Sequence, residues 1–162
     1  MLESEKRLHR CCFTGHRPEK LQTSEQVIKH ELEKEIRQAI ADGFTVFISG
    51  MARGVDLWAA QIVLKLREMG SPIKLICASP YAGFEKEWST TWQQLYNNTI
   101  KKADLVCYIS PKYGRNCFKA RNIWMVNHSA RVIAVYNGSI GGTKNTVDYA
   151  IKSGVVIRYT NQ

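Results

Sequence analysis

Three glycine-containing segments carry the residue types that grip a phosphate. Thr14-Gly15-His16-Arg17-Pro18 sets a glycine, which lets backbone approach a ligand closely, among side chains that donate hydrogen bonds. In Ser49-Gly50-Met51-Ala52-Arg53-Gly54-Val55-Asp56 two glycines flank a helix start. Gly50 can bring backbone N–H groups to an anion, and Gly54 opens a helix whose positive end faces it. Asp56, in the first turn of that helix, is placed to accept ribose hydroxyls or loop amides, or to complement the helix dipole. Gly141-Gly142-Thr143-Lys144-Asn145-Thr146 repeats the design, with Thr143 as the helix cap. The expected ligand contacts are therefore Thr14, Gly15, His16 and Arg17; Ser49, Gly50, Met51, Ala52, Arg53, Gly54 and Asp56; and Gly141, Gly142, Thr143 and Thr146. Neither G-x-G-x-x-G nor G-x-x-x-x-G-K-[ST] occurs, so neither a standard dinucleotide fingerprint nor a P-loop accounts for these segments.

A fourth segment, Ser110-Pro111-Lys112-Tyr113-Gly114-Arg115, precedes Lys119, Arg121 and Asn122. Its cations interleave with Tyr113 and Phe118, a mixture suited to phosphates and a stacked base; Arg121 and Asn122 join the expected contacts. Glu87 is a candidate acid/base or ribose ligand, and equally a plain helix-dipole acid. Trp88, Trp92 and Tyr96 recur every four residues, a spacing that reads as core or interface before it reads as a base-stacking box. If exposed, they are the candidate face for a homo-oligomer. No metal site is expected: the five cysteines include no C-x-x-C pair, and Cys11, Cys77 and Cys107 fall inside apolar runs where cysteine is a small buried hydrophobe.

Short apolar runs alternating with helical periodicity supply the elements that position these loops. Strands are predicted at Arg10–Phe13, Thr45–Ser49, Ile73–Ala78, Leu105–Ile109, Val132–Tyr136 and Val155–Tyr159. A helix opens at the capping-box pattern Thr23-Ser24-Glu25-Gln26 and runs through Ile28, Leu32, Ile36 and Ile40 to Asp42-Gly43. Others follow Gly54 (to Met69) and span about Phe84 to Ile100, Asn116–Ser129 and Thr143–Ser153. The expected architecture is a three-layer Rossmann-like α/β domain, residues 1–162. Its sheet is mostly parallel and doubly wound, of about six strands with helices on both faces, and residues 1–8 read as a flexible N-terminus. Such sheets bind ligands beyond the carboxyl ends of their strands, where strand order reverses.

Composition narrows the function classes. The 162 residues suit one domain, and the formal net charge is +9. Residues 1–88 hold 13 basic and 12 acidic side chains, whereas residues 89–162 hold 10 basic and only 2 acidic, Asp104 and Asp148. That asymmetry points to a polyanionic partner: a nucleotide, its phosphates, or single-stranded nucleic acid. The longest apolar runs are strand-sized and the first ten residues lack an apolar core, so the sequence predicts no membrane span, no secretory signal and a cytoplasmic location.

Ser49-Gly50-Met51-Ala52-Arg53-Gly54-Val55-Asp56 resembles the G-[LM]-A-x-G-[IV]-D segment of the DNA-processing protein A (Smf) group. Thr14-Gly15-His16-Arg17-Pro18, Ala103-Asp104, Arg121-Asn122-x-Trp124-Met125-Val126 and Gly142-Thr143-x-x-Thr146-Val147, with Trp88 and Tyr96, look like the YpsA-like branch of the same superfamily, SLOG. The likeness runs from about Cys11 to Tyr159. It implies a Rossmann-like fold whose glycine loops bind a nucleotide-derived ligand or nucleic acid. Where branch members carry acids in V-D-x-S-D, this chain reads Val126-Asn127-His128-Ser129-Ala130. The related Lonely Guy phosphoribohydrolases resemble it less at P-G-G-x-G-T-x-x-E, because Gly141 to Asp148 lacks the third glycine and the aligned glutamate. Glycosidic cleavage needs a carboxylate near the sugar. Glu87 and Asp148 are the candidates, with Arg121 to stabilise phosphate. The leading expectation is binding or sensing of an ADP-ribose- or NAD-like compound or a nucleoside phosphate. An N-glycosidic hydrolase and a single-stranded DNA-binding module are the alternatives.

Overall fold

The computed structural model describes residues 1–160. Six strands, β1 (Arg10–Gly15), β2 (Val46–Ser49), β3 (Lys74–Ser79), β4 (Leu105–Tyr108), β5 (Arg131–Val135) and β6 (Val156–Tyr159), form one sheet in the order β4-β3-β2-β1-β5-β6. Every pairing is parallel. The chain walks outward from β1 to β4, then returns to lay β5 on the other side of β1, so strand order reverses between β1 and β5.

Helices cover both faces. On one side α2 (Glu25–Ala41), α3 (Val55–Glu68) and α4 (Thr90–Lys102) pack over Cys11, Phe13, Phe47, Leu75, Cys77, Ile133 and Val135. On the other, α5 (Cys117–Asn127) and α6 (Gly142–Lys152) lay Met125, Val126 and Ala150 over Cys12, Ile48, Ala78 and Val132. The strand period of two sends adjacent Cys11 and Cys12 to opposite cores. Helix α2 is amphipathic: Ile28, Leu32, Ile36 and Ala39 are buried at three- and four-residue spacing while its charges face out. Helix α3 is apolar nearly all round because it sits between α2 and α4 as well as on the sheet.

Several boundaries differ from the sequence pattern. Ser24, not Thr23, caps α2, its side chain accepting the Val27 N–H at 3.3 Å. Strand β1 continues two residues beyond Phe13, Thr14 and Gly15 pairing with Ala134 and Val135, because ladder bonds need no apolar side chain. Helix α4 starts at Thr90, so Phe84 and Trp88 lie in an irregular segment. Pro80 and the left-handed Gly83 (φ +90°) break the helix there, and the Gln93 amide holds the carbonyls of Lys86 and Trp88. Residues 3–7, given no element by pattern, form the one-turn α1, whose Glu3 pairs with Arg10 of β1. All five cysteines are free thiols. No helix among the described residues is long and apolar enough to cross a membrane.

Candidate functional site

A cavity of about 660 Å³ opens over the carboxyl edge of the sheet. Its walls come from the end of β1 and the following turn (Phe13 to Arg17, and Lys20), the head of α3 (Ala52, Arg53, Asp56) and the start of α6 (Gly141 to Thr143). Tyr81, Phe84, Glu87 and Trp88 of the β3–α4 segment and Phe118, Arg121, Asn122 and Met125 of α5 complete it. It lies where strand order reverses, the place a doubly wound sheet leaves open.

Two glycines make this geometry possible. A Cβ on Gly15 would stand 2.4 Å from Val55 Cγ2, so its absence lets the first turn of α3 seat against the end of β1. A Cβ on Gly50 would stand 2.8 Å from Asp56 Oδ2 and 3.0 Å from Arg121 Nη1. Gly50 therefore lies between two oppositely charged side chains that are almost fully buried, Asp56 at 7 % and Arg121 at 6 % exposure. Arg121 Nη1 donates to the Gly50 carbonyl and its Nε to Asn122 Oδ1 at 2.8 Å, while Asp56 Oδ2 accepts the Ala52 N–H at 3.3 Å. The two charges face each other across the glycine without closing a direct ion pair. Burial pushes the Asp56 carboxyl up from its usual value, opposed by the Arg121 charge and the Ala52 amide. Burial likewise lowers the Arg121 guanidinium, with Asp56 holding it up. The arrangement leaves a cation and a carboxylate fixed in the cavity floor.

The β1 and β5 sides meet at His16, which is 3 % exposed. Its backbone N–H donates to the Val135 carbonyl at 3.4 Å, its Nε2 accepts the Asn137 N–H at 3.2 Å, and its ring lies 5.6 Å from that of Tyr136. Burial holds this imidazole below its usual range. Lys20 Nζ reaches the Ile140 carbonyl at 3.5 Å and supports the turn into α6. No side chain caps α6, and Asn145 is its first amide with a carbonyl partner, Gly141, at 3.1 Å. The N–H groups of Gly142, Thr143 and Lys144 thus lack partners among the described residues, the condition in which a helix start attracts an anion. Arg17, Lys20 and Arg53 add positive charge around it, Arg53 being paired with Glu19 at 3.0 Å.

The opposite wall is aromatic. Phe84 lies 4.8 Å from Trp88 and 5.6 Å from Phe118, and Tyr81 lies 5.7 Å from Phe84, mostly edge to face. Tyr113, 62 % exposed, leans on Tyr81 and Phe118 from outside. Trp92 instead packs on Trp58 and Tyr96 is buried against Ser79, so of the periodic aromatics only Trp88 reaches the cavity and α4 offers no exposed aromatic face.

Some expected contacts lie elsewhere. Ser49, Gly50, Met51, Gly54 and Thr146 do not line the cavity. The Ser49 hydroxyl donates to the Asp56 carbonyl and accepts the Met51 N–H; Met51 is core; Gly54 caps α3; Thr146 bonds back to the Gly142 carbonyl. Asp148 is exposed and pairs with Lys144 at 2.7 Å along α6, outside the cavity, because its register on the helix turns it outward. Lys112, Arg115 and Lys119 are exposed and absent from the lining; three of the cavity's four cations, Arg17, Lys20 and Arg53, come from the nearly neutral first half. Lys20, Tyr81 and Phe84 were missed, although Tyr81 and Phe84 follow β3 at the very edge where ligands bind. Among the described residues no three His, Cys, Asp or Glu side chains group as a metal ion requires.

An all-parallel sheet that reverses order beside β1, helices on both faces and a cavity at that reversal define a three-layer Rossmann-like α/β domain. The YpsA family model, described as the YspA SLOG family, matches residues 11–157, and the chain belongs to that family. It is 28 % identical over 155 residues to a UPF0398 protein of Bacillus pumilus strain SAFR-032, covering 85 % of this chain and 83 % of the relative. To the SPbeta prophage-derived protein YoqJ of Bacillus subtilis strain 168 it is 30 % identical over 119 residues, 66 % of this chain and 70 % of YoqJ. Among solved structures, DNA processing protein A of Streptococcus pneumoniae superposes with a TM-score of 0.68 at 20 % identity, covering 94 % of this chain. The Helicobacter pylori protein of that name, described as binding single-stranded DNA, gives 0.63 at 18 % over 97 %. At these identities the likeness is one of fold, and the chain spans 50 % of the pneumococcal protein and 66 % of the other.

Proposed function

We propose that this chain binds a nucleotide-derived ligand, an ADP-ribose- or NAD-like compound or a nucleoside phosphate, in the cavity over the carboxyl edge of its sheet. The observation that carries the reading is the division of one cavity into three chemistries. Unpartnered amides at the start of α6 with Arg17, Lys20 and Arg53 suit phosphates; Asp56 and Arg121 in the floor suit ribose hydroxyls and phosphate; Phe84, Trp88 and Phe118 suit a base. Roughly 300–1,000 Å³ is the usual range for small-molecule sites, and about 660 Å³ falls within it. Calorimetric titration of the folded protein with ADP-ribose, NAD and AMP is the test. Saturable binding of at least one, weakened by Arg17→Ala, is expected; heat-silent titrations with all three would refute the reading.

A second reading, single-stranded DNA binding, is favoured by the exposed Tyr113, Phe118, Lys112, Arg115 and Lys119 beside the cavity mouth and by the fold shared with the Helicobacter pylori protein. It predicts oligonucleotide binding that weakens steeply with salt. A hydrolase would have to rely on Glu87, the one exposed carboxylate on the cavity wall. Release of free base from nucleoside monophosphates, abolished by Glu87→Gln, is its required sign.

A further inference from the structure

We infer that His16 is a positioning residue whose neutral imidazole ties the loop after β1 to the loop that presents the α6 amides, so that protonating it releases the ligand site. This rests on the nucleotide reading above. The imidazole is buried and lines the cavity, and its Nε2 receives the Asn137 backbone N–H at 3.2 Å. An N–H can donate only to a lone pair, so Nε2 is unprotonated and the ring's proton sits on Nδ1. Nδ1 has no partner among the described residues, which leaves its N–H for a ligand. Asn137 in turn organises the loop: its Oδ1 accepts the Ser139 N–H at 3.0 Å and the Ser139 hydroxyl at 2.6 Å, and its Nδ2 donates to the Lys20 carbonyl at 3.5 Å. Gly141 and Gly142 follow after Ile140.

A second proton would place Nε2–H against the Asn137 N–H, two donors with no acceptor between them, and the loop must move. Most of the surroundings resist that proton, the Asn137 side chain alone acting the other way. Lys20 is the charge felt from the turn after β1, and Tyr136 contributes only its ring; Arg17 adjoins His16 in the chain, and Asp56 and Arg121 occupy the cavity floor. Burial acts in the same direction.

ADP-ribose is the suitable probe, because each of its phosphates is held in one ester and one anhydride bond, has no second ionisation, and so keeps its charge constant where histidine titrates. Its dissociation constant is measured for the wild type, His16→Gln and His16→Phe at pH 7.5 and at a pH below the midpoint of the His16 titration, and that midpoint and the imidazole nitrogens are read by ¹⁵N NMR without ligand. The wild type should bind roughly three- to tenfold more weakly at the lower pH, the fold-change of losing one net hydrogen bond. His16→Gln, which keeps an acceptor and does not titrate, should bind alike at both values; His16→Phe should bind weakly at both. NMR should show Nε2 bare and Nδ1 protonated at pH 7.5, with the Asn137 amide shifting as His16 titrates. Tighter binding at the lower pH would mean that His16 serves ligand phosphate as a cation and would overturn the inference, as would an Nε2-protonated ring. If ADP-ribose fails to bind at all, the nucleotide reading falls, and the NMR titration still decides the His16–Asn137 tie.

Discussion

Asp56→Ala is the sharpest perturbation of the cavity floor. It strips a 6 %-exposed guanidinium of the carboxylate opposite it and leaves the Ala52 amide without its acceptor. Removing one partner of a buried charge pair costs about 3–5 kcal/mol; with no direct ion pair between these two, the lower end, about 3 kcal/mol, applies. For a chain of this size that lowers the melting temperature by about 6–12 °C. Arginine cannot discharge by losing a proton, so the variant keeps its unpaired buried cation at pH 5 and pH 8 alike. Arg121→Met should behave differently. Burial already raises the Asp56 pKa above its ordinary 3.8, and without Arg121 the carboxyl can take up a proton and become neutral. A group whose folded pKa exceeds its unfolded one favours the native state at low pH, so this variant should lose stability as pH rises through the folded value and recover below it. The double variant should lose less than the sum of the two. Urea denaturation followed by circular dichroism at pH 5, 6.5 and 8 is the assay. A loss below about 1 kcal/mol for Asp56→Ala, or equal pH-independent losses for both single variants, would refute the coupling.

Gly50→Ala should destabilise by about 1–3 kcal/mol through overpacking, because its Cβ would press Asp56 Oδ2 at 2.8 Å, whereas Gly142→Ala, with nothing within 4 Å, should melt like the wild type. The lowered pKa of buried His16 contributes stability that is present above about pH 6.5 and lost as pH falls through the folded value; His16→Gln should remove that part of the acid sensitivity in a thermal melt. Trp88→Ala should weaken ADP-ribose binding roughly 5- to 100-fold by loss of a stacking wall while leaving ribose 5-phosphate unaffected. Equal losses for the two ligands would argue against a base lying on that wall.

The sheet and most of the helices were legible because strands of this kind are short apolar runs and the helices between them keep a three- or four-residue apolar spacing: Ile28, Leu32 and Ile36 are all buried as their spacing requires. The three glycine loops were legible as loops, and residues from each reach the cavity. Which of their residues face it was not. Ser49 and Met51 are polar and apolar neighbours in one motif, yet both are fully buried in support of the turn. Asp148 and Thr146 sit two residues apart on α6, and only helix register decides that one faces solvent and the other packs inward. The aromatic wall was misread because Phe84 and Trp88 continue the period of Trp92 and Tyr96, although Gly83 and Pro80 stop the helix before it includes them. Charge asymmetry did not locate the cavity's cations for a similar reason. Total charge carries no address, and Lys112, Arg115 and Lys119 decorate the rim's exterior while Arg17 and Lys20 line the interior.

The central claim is that a nucleotide-derived ligand occupies the cavity between β1, α3 and α6. Backbone amide NMR of ¹⁵N-labelled protein titrated with ADP-ribose tests it most directly. Saturable shifts concentrated at Gly15, His16, Ala52, Gly142 and Thr143 are predicted; a spectrum that does not change, or changes that map away from the carboxyl edge of the sheet, would contradict it.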